Sequence, residues 1–282
     1  EDSLDFQNIH FDSNKWIIKE IDDLQIQIEN LTKKYLFHEV ANKIYHFVWH
    51  TYCDWYIELI KKNFNDKKYS YEIRKTSGWS FIQILKIIHP IMPYISEKLW
   101  RSLVNSNSFL MNQIYEKKNF GKNFNNAKKN INLLIELITS IRNLRSELNI
   151  PYKKLIDLTI ECKDESLINF LSKNTSEINN FLKTNKISFD KIHPDKNTAL
   201  IVLNSFSILV PLLGIVDSQS EIKKLNAKKE LEQVKFDKIK EKLNNDNFMN
   251  KASHEIIEKF KNDAQNHKSS IEKIDQIINT IN

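Results

Sequence analysis

The chain has 282 residues, of which 41% are hydrophobic, 28% are charged and only 3 are glycine. This length allows about two domains with buried cores, and so few glycines leave little room for glycine-rich phosphate loops or a sheet-dominated fold. The formal net charge of +6 comes mainly from lysine in a sequence also rich in asparagine and isoleucine, a composition typical of an AT-rich genome, so charge alone is weak evidence for nucleic-acid binding.

The first part of the chain has the apolar spacing of two long amphipathic helices. Ser13 is placed to cap a helix that starts near Trp16. Its apolar stripe comprises Ile17, Ile21, Leu24, Ile28 and Leu31. A second helix is predicted from about residue 37 to residue 60. Its broad apolar face comprises Val40, Ile44, Phe47, Val48, Thr51, Trp55 and Leu59.

Prolines delimit the next helices. After a linker at residues 63–70, a third helix must end before Pro90, and a fourth restarts after Pro93 and continues to about residue 104. The polar residues 105–126 are predicted to form a surface excursion, and a further amphipathic helix spans about residues 131–148. Residues 1–152 are therefore predicted to form a helical bundle.

A change of pattern after Pro151 predicts a small α/β unit over residues 153–217. Residues 155–161 and 199–203 alternate as strands do, and residues 167–182 have helical spacing. The uncharged run 199–216 approaches the length of a membrane span, but its internal polar residues and Pro211 split it into strand, turn and strand. No membrane partner is expected.

Residues 218–282 have a heptad-like pattern with charged Lys229 and Glu232 among the seam positions. A loop near residues 244–253 separates two helices of about 26 and 28 residues, roughly 40 Å each. These helices are predicted to fold back as an antiparallel coiled-coil hairpin. The predicted fold class is therefore mainly α, with a helical bundle, a small α/β junction unit and a coiled-coil hairpin.

The two cysteines indicate the cellular compartment of the protein, and the first residue indicates whether the chain is a fragment. Cys53 and Cys162 lie in no CxxC or Cys/His zinc spacing, so a reducing, cytoplasmic environment is expected, without a structural metal. The chain begins at Glu1 without an initiator methionine, and we expect it to be a fragment of a longer protein.

Several groups of polar residues could form a metal or catalytic site, or could simply have a structural role. His46, His50 and Asp54 recur every fourth residue and could bind zinc, and Asp54 with Glu58 could act as an acid/base pair. A solvated helix face is the favoured interpretation of both. His89 is better explained by the helix break at Pro90, where its imidazole would cap freed carbonyls.

Positive charge is concentrated in one block. Residues 67–154 contain 16 basic and 5 acidic residues, a net of +11. Such a concentration is typical of a surface that faces a polyanion.

Several motifs in order carry a family resemblance. FVWHTYCDWYIE at 47–58 and LKIIHPIMPYISEKLW at 85–100 resemble the anticodon-binding helical domain of class I aminoacyl-tRNA synthetases, and CDWYIE resembles the valyl-tRNA synthetase family specifically. IRNLRSELNIP at 141–151, VPLLGIVD at 210–217 and KLNNDNFMNKAS at 242–253 are similar to later parts of that family, including its coiled-coil arm. Asn247 and His254 stand where the family usually has glycine and proline.

The resemblance implies that catalysis and tRNA recognition lie in different parts of the intact enzyme. The intact enzyme of this family activates valine with ATP and magnesium and transfers it to valine tRNA. The family's HIGH and KMSKS signatures do not occur in this chain. The chain is therefore expected to contain no catalytic or editing site and no cofactor of its own. Its expected partners are valine tRNA and the N-terminal catalytic and editing domains of the same monomeric protein.

The resemblance also directs the choice of candidate tRNA-binding residues. In the anticodon domain we predict Arg142, Arg145, Lys153 and Lys154, with an exposed aromatic base platform at Trp49 or Tyr52. In the arm we predict phosphate contacts from Lys223, Lys224, Lys228 and Lys235. The alternatives are core packing for the aromatic residues, salt bridges for the arginines and a solvated coiled-coil face for the lysines.

Two other classes of function remain as alternatives. One is a helical scaffold whose coiled coil binds another protein, and the other is a free-standing enzyme, which the absence of a recognisable active-site motif disfavours. Salt dependence discriminates RNA binding from the scaffold, because affinity through Z phosphate contacts falls with log salt at a slope of roughly −0.7Z to −0.9Z.

Overall fold

The computed structural model describes residues 4–104, 108–113, 120–193, 195, 197–213, 218–244 and 254–281. The chain divides into two compact units, Glu1–Ile135 and Glu136–Asn282. The division falls inside one helix, and the three-part division with boundaries at 152 and 217 stays a prediction.

The first unit is a helical bundle, as predicted. Its helices are α1 (Asp12–Lys33), α2 (Phe37–His46), a π-helical segment (Phe47–Tyr56), α3 (Ile57–Lys61), α4 (Ser70–Ile88), α5 (Pro93–Val104) and the beginning of α6 (Asn125–Glu147). Short 3-10 turns lie at Phe6–Asn8 and Leu110–Asn112. The fully buried side chains include Trp16, Ile17, Ile21, Tyr56, Ile73, Leu85, Ile131 and Leu134.

The start of α1 differs from the prediction. Helix α1 begins at Asp12, so Ser13 lies buried within its first turn and does not cap it. Instead Glu72 of α4 accepts hydrogen bonds from the backbone N–H groups of His10 and Phe11, both at 3.0 Å. A carboxylate is favourable at a helix N-terminus. Glu72, which is 60 positions from Asp12, therefore stabilises the start of α1 in place of the predicted cap at Ser13.

A buried polar network joins this cap to the core. Asn14 Nδ2 donates to Glu72 Oε1 at 2.8 Å, and Tyr56 Oη donates to Asn14 Oδ1 at 3.0 Å. Asn14 and Tyr56 are both fully buried, and burial raises the pKa of Tyr56 well above its usual range. The network connects α1, the π-helical segment and α4.

The π-helical segment changes which residues face the core. The α-helical spacing predicted that Thr51 and Trp55 follow Phe47 on the apolar face. The structure buries Tyr52 and Tyr56 instead, five residues after Phe47 and four residues after Tyr52, because a π turn inserts one extra residue. The predicted face is therefore correct at Val40, Ile44, Phe47 and Leu59, and it is displaced by one residue at positions 51 and 55.

The break between α4 and α5 lies where the prolines predicted it. His89 does not cap a freed carbonyl directly. Its Nδ1 lies 2.8 Å from Ser96 Oγ, and that hydroxyl is 2.8 Å from the Met92 carbonyl oxygen. The Met92 carbonyl also accepts the Ser96 backbone N–H at 3.2 Å, so Ser96 supports the start of α5 and does not cap a carbonyl freed by the break.

The second unit contains the end of α6 and a four-stranded sheet. Its strands are β1 (Ile156–Cys162), β2 (Thr184–Ser188), β3 (Thr198–Val202) and β4 (Phe206–Pro211), in the spatial order β2-β1-β4-β3. Strands β1 and β2 are parallel, and the β3–β4 hairpin confirms the predicted strand, turn and strand. The single predicted helix is two helices, α7 (Glu165–Lys173) and α8 (Thr175–Leu182).

The predicted coiled-coil hairpin is confirmed by helices α9 (Ser218–Leu243) and α10 (His254–Ile281), of 26 and 28 residues. Lys229 contacts Asp275 and Glu232 contacts His267, so partners run in opposite directions along the two helices. Residues 245–253 of the predicted loop near 244–253, including Asn247, lie outside the described residues. Across the residues that the structure describes, no helix combines the length and apolar character needed to cross a bilayer.

Gly121 and Asp22 make a close approach in the first unit. Asp22 Oδ2 accepts from the backbone N–H of Gly121 at 2.6 Å, and a Cβ at Gly121 would lie 2.9 Å from the Lys19 backbone. The other carboxylate oxygen of Asp22 is buried without a hydrogen-bond partner. Burial raises the pKa of Asp22, so its ionised form costs folding free energy.

We predict that Asn14→Ala lowers the free energy of unfolding by about 2–4 kcal/mol, because it leaves the Tyr56 hydroxyl and the Glu72 carboxylate short of partners in a buried site. All five tryptophans lie in the first unit, so urea denaturation followed by tryptophan fluorescence reports on this unit. The matched control is Asn30→Ala, an exposed position on the same helix, with an expected change within about 0.5 kcal/mol. Equal effects of the two substitutions would contradict the role of the network.

Asp22→Asn is expected to increase stability at pH 7, because the amide keeps an acceptor for Gly121 and removes the buried charge. Since the folded state holds the Asp22 proton more tightly than the unfolded state, the cost is present above the folded pKa and disappears as pH falls through it. The gain over the unsubstituted chain should therefore shrink as pH falls.

The adjacent Asp23 provides a control with the opposite sign. Burial acts to raise the pKa of Asp23, but hydrogen bonds from Lys128 and Lys19 outweigh it and lower that pKa. Asp23→Asn should lose stability at pH 7 and lose less as pH falls. The same pH series of urea denaturations measures both variants, and parallel pH profiles would show that Asp22 carries no special cost.

Candidate nucleic-acid interface

Cationic side chains lie over aromatic rings where α3 leads into α4. Arg74 Cζ lies 5.3 Å from the ring centroid of Phe64, and Lys75 Nζ lies 5.6 Å from that of Tyr71. Lys68 Nζ lies 4.6 Å from the centroid of Tyr69. We call this surface the basic–aromatic patch; it comprises Phe64, Lys68, Tyr69, Tyr71, Arg74 and Lys75.

Local structure explains this arrangement. The connection folds back through Asp66, whose carbonyl accepts from the Ser70 N–H at 2.9 Å and whose carboxylate accepts from the Lys68 N–H at 2.7 Å. Helix α4 starts at Ser70, so Tyr71, Arg74 and Lys75 share one face at spacings of three and four residues. Tyr71 is 69% exposed.

The electrostatics of the patch depend on Glu72. This carboxylate accepts hydrogen bonds from the backbone N–H groups of His10 and Phe11, ahead of α1. Part of its negative charge is therefore used in these contacts, and the exposed Arg74 lies two residues further along α4.

Exposed rings beside cations suit single-stranded RNA. Unpaired bases stack on aromatic or guanidinium planes at about 1–3 kcal/mol each, while lysines contact phosphates without sequence preference. The sequence-based prediction assigned residues 63–70 to a linker, so this patch was missed. The signal was the alternation of basic and tyrosine residues in KKYSYEIRK at 67–75, within the block of net charge +11.

The two predicted aromatic platforms have opposite environments. Trp49 is 55% exposed and stacks with Tyr45, with ring centroids 6.5 Å apart. Tyr52 is only 6% exposed, and burial raises its pKa, so the prediction of an exposed ring is wrong at this position. The π-helical segment is the physical reason, because its extra residue turns Tyr52 into the core.

Trp49 does not belong to the basic–aromatic patch. It lines a groove with residues that follow the C-terminal end of α4, including Ile91 and Met92, whereas Tyr71 and Arg74 lie at the N-terminal end. The length of α4 separates the two ends by roughly 25 Å at 1.5 Å per residue.

Arg145 is a structural residue. The residue is 6% exposed, and its guanidinium donates to the carbonyl oxygens of Pro151 at 3.0 Å, Lys154 at 2.8 Å and Leu182 at 2.8 Å. The prediction that Arg145 contacts tRNA is therefore corrected, because the residue is buried and both terminal nitrogens of its guanidinium donate to carbonyls of the second unit. Because Arg145 donates to backbone carbonyl oxygens, the alternative prediction of a salt bridge is also wrong for this residue.

The neighbouring predicted residues lie on the surface of the second unit. Arg142, one turn before Arg145, is exposed and lies over the ring of Phe181 at 5.4 Å. Lys153 and Lys154 are also exposed. All three remain predicted tRNA contacts.

In the arm, Lys223 and Lys235 are exposed. Lys235 Nζ donates to Glu232 at 2.8 Å, and this hydrogen bond lowers the pKa of Glu232. The side chains of Lys224 and Lys228 lie outside the part of the chain that the structure describes. The four arm contacts remain predictions.

The histidines of the π-helical region lie on an exposed face. His50 Nδ1 is 3.1 Å from Asp54 Oδ2, and the rings of His46 and His50 stack at 5.4 Å between centroids. Glu58 contacts Lys61 at 3.3 Å. This arrangement matches the solvated helix face that we favoured.

Comparisons with known proteins agree with the geometry. The family model described as "Anticodon-binding domain of tRNA ligase" matches residues 14–160, and that described as "Valyl tRNA synthetase tRNA binding arm" matches residues 217–282. Valine–tRNA ligases of Staphylococcus aureus strains JH9 and Newman are each 30% identical over 266 residues, which cover 93% of this chain. The chain spans 30% of the length of these relatives.

Arg145→Lys is expected to destabilise the second unit by about 2–3 kcal/mol, because an ammonium group cannot reach the three carbonyls that the planar guanidinium joins. Hydrogen exchange measured by mass spectrometry on peptides covering β1 and α8 should show the loss of protection. Arg142→Lys is the matched control, an exposed position on the same helix, and should leave exchange unchanged. Indistinguishable exchange in the two variants would contradict the structural role of Arg145.

Proposed function

Because the chain belongs to the anticodon-binding domain family of tRNA ligases, we propose that it is the tRNA-recognition part of a valine–tRNA ligase. The ATP- and magnesium-dependent attachment of valine then belongs to the part of the longer protein outside this chain. The proposal includes a monomeric, cytoplasmic enzyme whose catalytic and editing domains precede this region.

The basic–aromatic patch is the observation that carries the RNA-binding proposal. It presents rings and cations over residues 64–75, in the connection before α4 and in the first two turns of that helix, and Glu72, the acidic residue of the same helix, binds backbone N–H groups ahead of α1. A surface that only bound another protein would not need this pairing. The order of the two matched models along the chain supports tRNA as the RNA and valine as the amino acid.

We assign different roles to the two units. The patch stacks with unpaired anticodon bases, and Arg142, Lys153 and Lys154 contact backbone phosphates near the anticodon stem. The arm braces the outer corner of the tRNA through lysines on its exposed faces, including Lys223. Base identity is then read in the first unit, while the second unit supplies affinity that depends on salt.

The test is binding of this chain to valine tRNA transcripts with native and altered anticodons, at two salt concentrations. Tyr71→Ala and Arg74→Ala should each weaken binding of the native transcript by about 5- to 150-fold, the range that corresponds to one lost base stack. Both should reduce the discrimination between the two anticodons. Arg142→Glu should weaken binding of both transcripts equally.

Arg101→Ala is the matched control for Arg74. Arg101 is an exposed arginine of the same unit that also lies over a ring, that of Phe109 at 4.5 Å, but it pairs with Glu97 on its own helix. Its loss should leave affinity unchanged. Binding that is insensitive to both salt and anticodon would overturn the proposal in favour of a protein-binding scaffold.

A further inference from the structure

A second exposed surface of the first unit is apolar and is not explained by RNA binding. It is a groove of about 290 Å³, lined by Tyr45, Val48, Trp49, Ile88, Ile91 and Met92 together with Ala41 and the buried Ile44. Four of these side chains are more than 40% exposed, and none carries a charge. Contiguous exposed apolar surface of this kind marks an interaction site.

Two rigid features of the fold display this groove. Tyr45 and Trp49 stack with an interplanar angle of 4° on one wall. On the other wall, the Ile91 and Met92 N–H groups both bond to the Ile88 carbonyl, at 3.0 and 2.9 Å, so the backbone between the two prolines is fixed. The apolar side chains are therefore held outward by ordered backbone.

The chemistry of the groove disfavours RNA. A nucleic-acid site requires cations for phosphates, and the lining residues contain no lysine or arginine. The basic–aromatic patch lies at the opposite end of α4, so the two surfaces do not form one site.

We propose that the groove receives an apolar segment from the part of the longer polypeptide that lies outside this chain. This inference rests on the proposed function, since the matched relatives are about three times as long as this chain. A groove of about 290 Å³ accommodates only a few apolar side chains, whereas a stable interface between independent proteins buries about 800 Å² on each partner. A covalently linked segment needs less area, because its effective concentration reaches the millimolar range.

The experiment uses the intact protein with a photo-crosslinking phenylalanine analogue at position 49, irradiated without tRNA. We expect crosslinks within one polypeptide, to residues upstream of Glu1. Position 71, an exposed aromatic position of the same unit outside the groove, is the matched control and should give no such crosslinks. Crosslinks between two polypeptides would assign the groove to a second copy, and crosslinks confined to residues 1–282 would show that no upstream segment enters it; either result overturns the proposal.

Charge substitutions provide a second measurement. Ile91→Asp and Met92→Asp in the intact protein should lower kcat/KM for aminoacylation at least 10-fold, while the affinity of the present chain for tRNA stays unchanged. Leu103→Asp, an exposed apolar position on α5 that does not line the groove, should leave kcat/KM unchanged. Equal effects of all three substitutions, or no effect of the first two, would contradict the proposal that the groove binds an apolar segment of the longer polypeptide.

If tRNA binding by this chain fails while the crosslinks to upstream residues form, the proposed function is wrong and the docking inference stands. The reverse result leaves tRNA recognition intact and removes the docking inference. The two proposals can therefore fail separately.

Discussion

Asn14 makes the contact on which the arrangement of the first unit depends. Its amide uses both of its ends in a fully buried position, accepting from Tyr56 and donating to Glu72. A buried polar network stabilises only when its members are satisfied, and here the backbone ahead of α1 completes the partners of Glu72. The network also engages the carboxylate of Glu72, the acidic residue of α4, so the interaction that orders three helices includes a charge two residues from Arg74 of the candidate RNA surface.

The π-helical segment makes that network possible and has a second consequence. The extra residue turns Tyr52 and Tyr56 inward, which brings the Tyr56 hydroxyl to Asn14. The same rotation leaves Trp49 on the surface beside Tyr45. A π-helix is rare and is often associated with function, and here one irregularity accounts for both a core contact and an exposed apolar wall.

Periodicity and proline predicted most of the helices, because these signals are local. The break between Ile88 and Pro93 and the two arm helices follow from sequence alone. Strand β2 was missed, because four of the five residues in its sequence TNKIS are polar and its parallel pairing with β1 is a long-range contact. The turn of Tyr52 into the core was missed because an α-helical period was assumed. Arg142 and Arg145 are one turn apart on one helix, and only the position of distant carbonyls decides that one is buried and the other exposed.

The arm contains charged residues in its coiled-coil seam, and their ion pairs reduce the positive charge that the arm can offer to RNA. Lys229 and Glu232 break the apolar heptads, and the structure pairs them across the hairpin with Asp275 and His267. Polar pairs in a coiled-coil seam fix register at some cost in stability. Glu232 also binds Lys235, so part of the positive charge of α9 is neutralised within the arm. The phosphate contacts proposed for the arm therefore depend on lysines outside these pairs, such as the exposed Lys223. The register of the hairpin determines which lysines are exposed in this way.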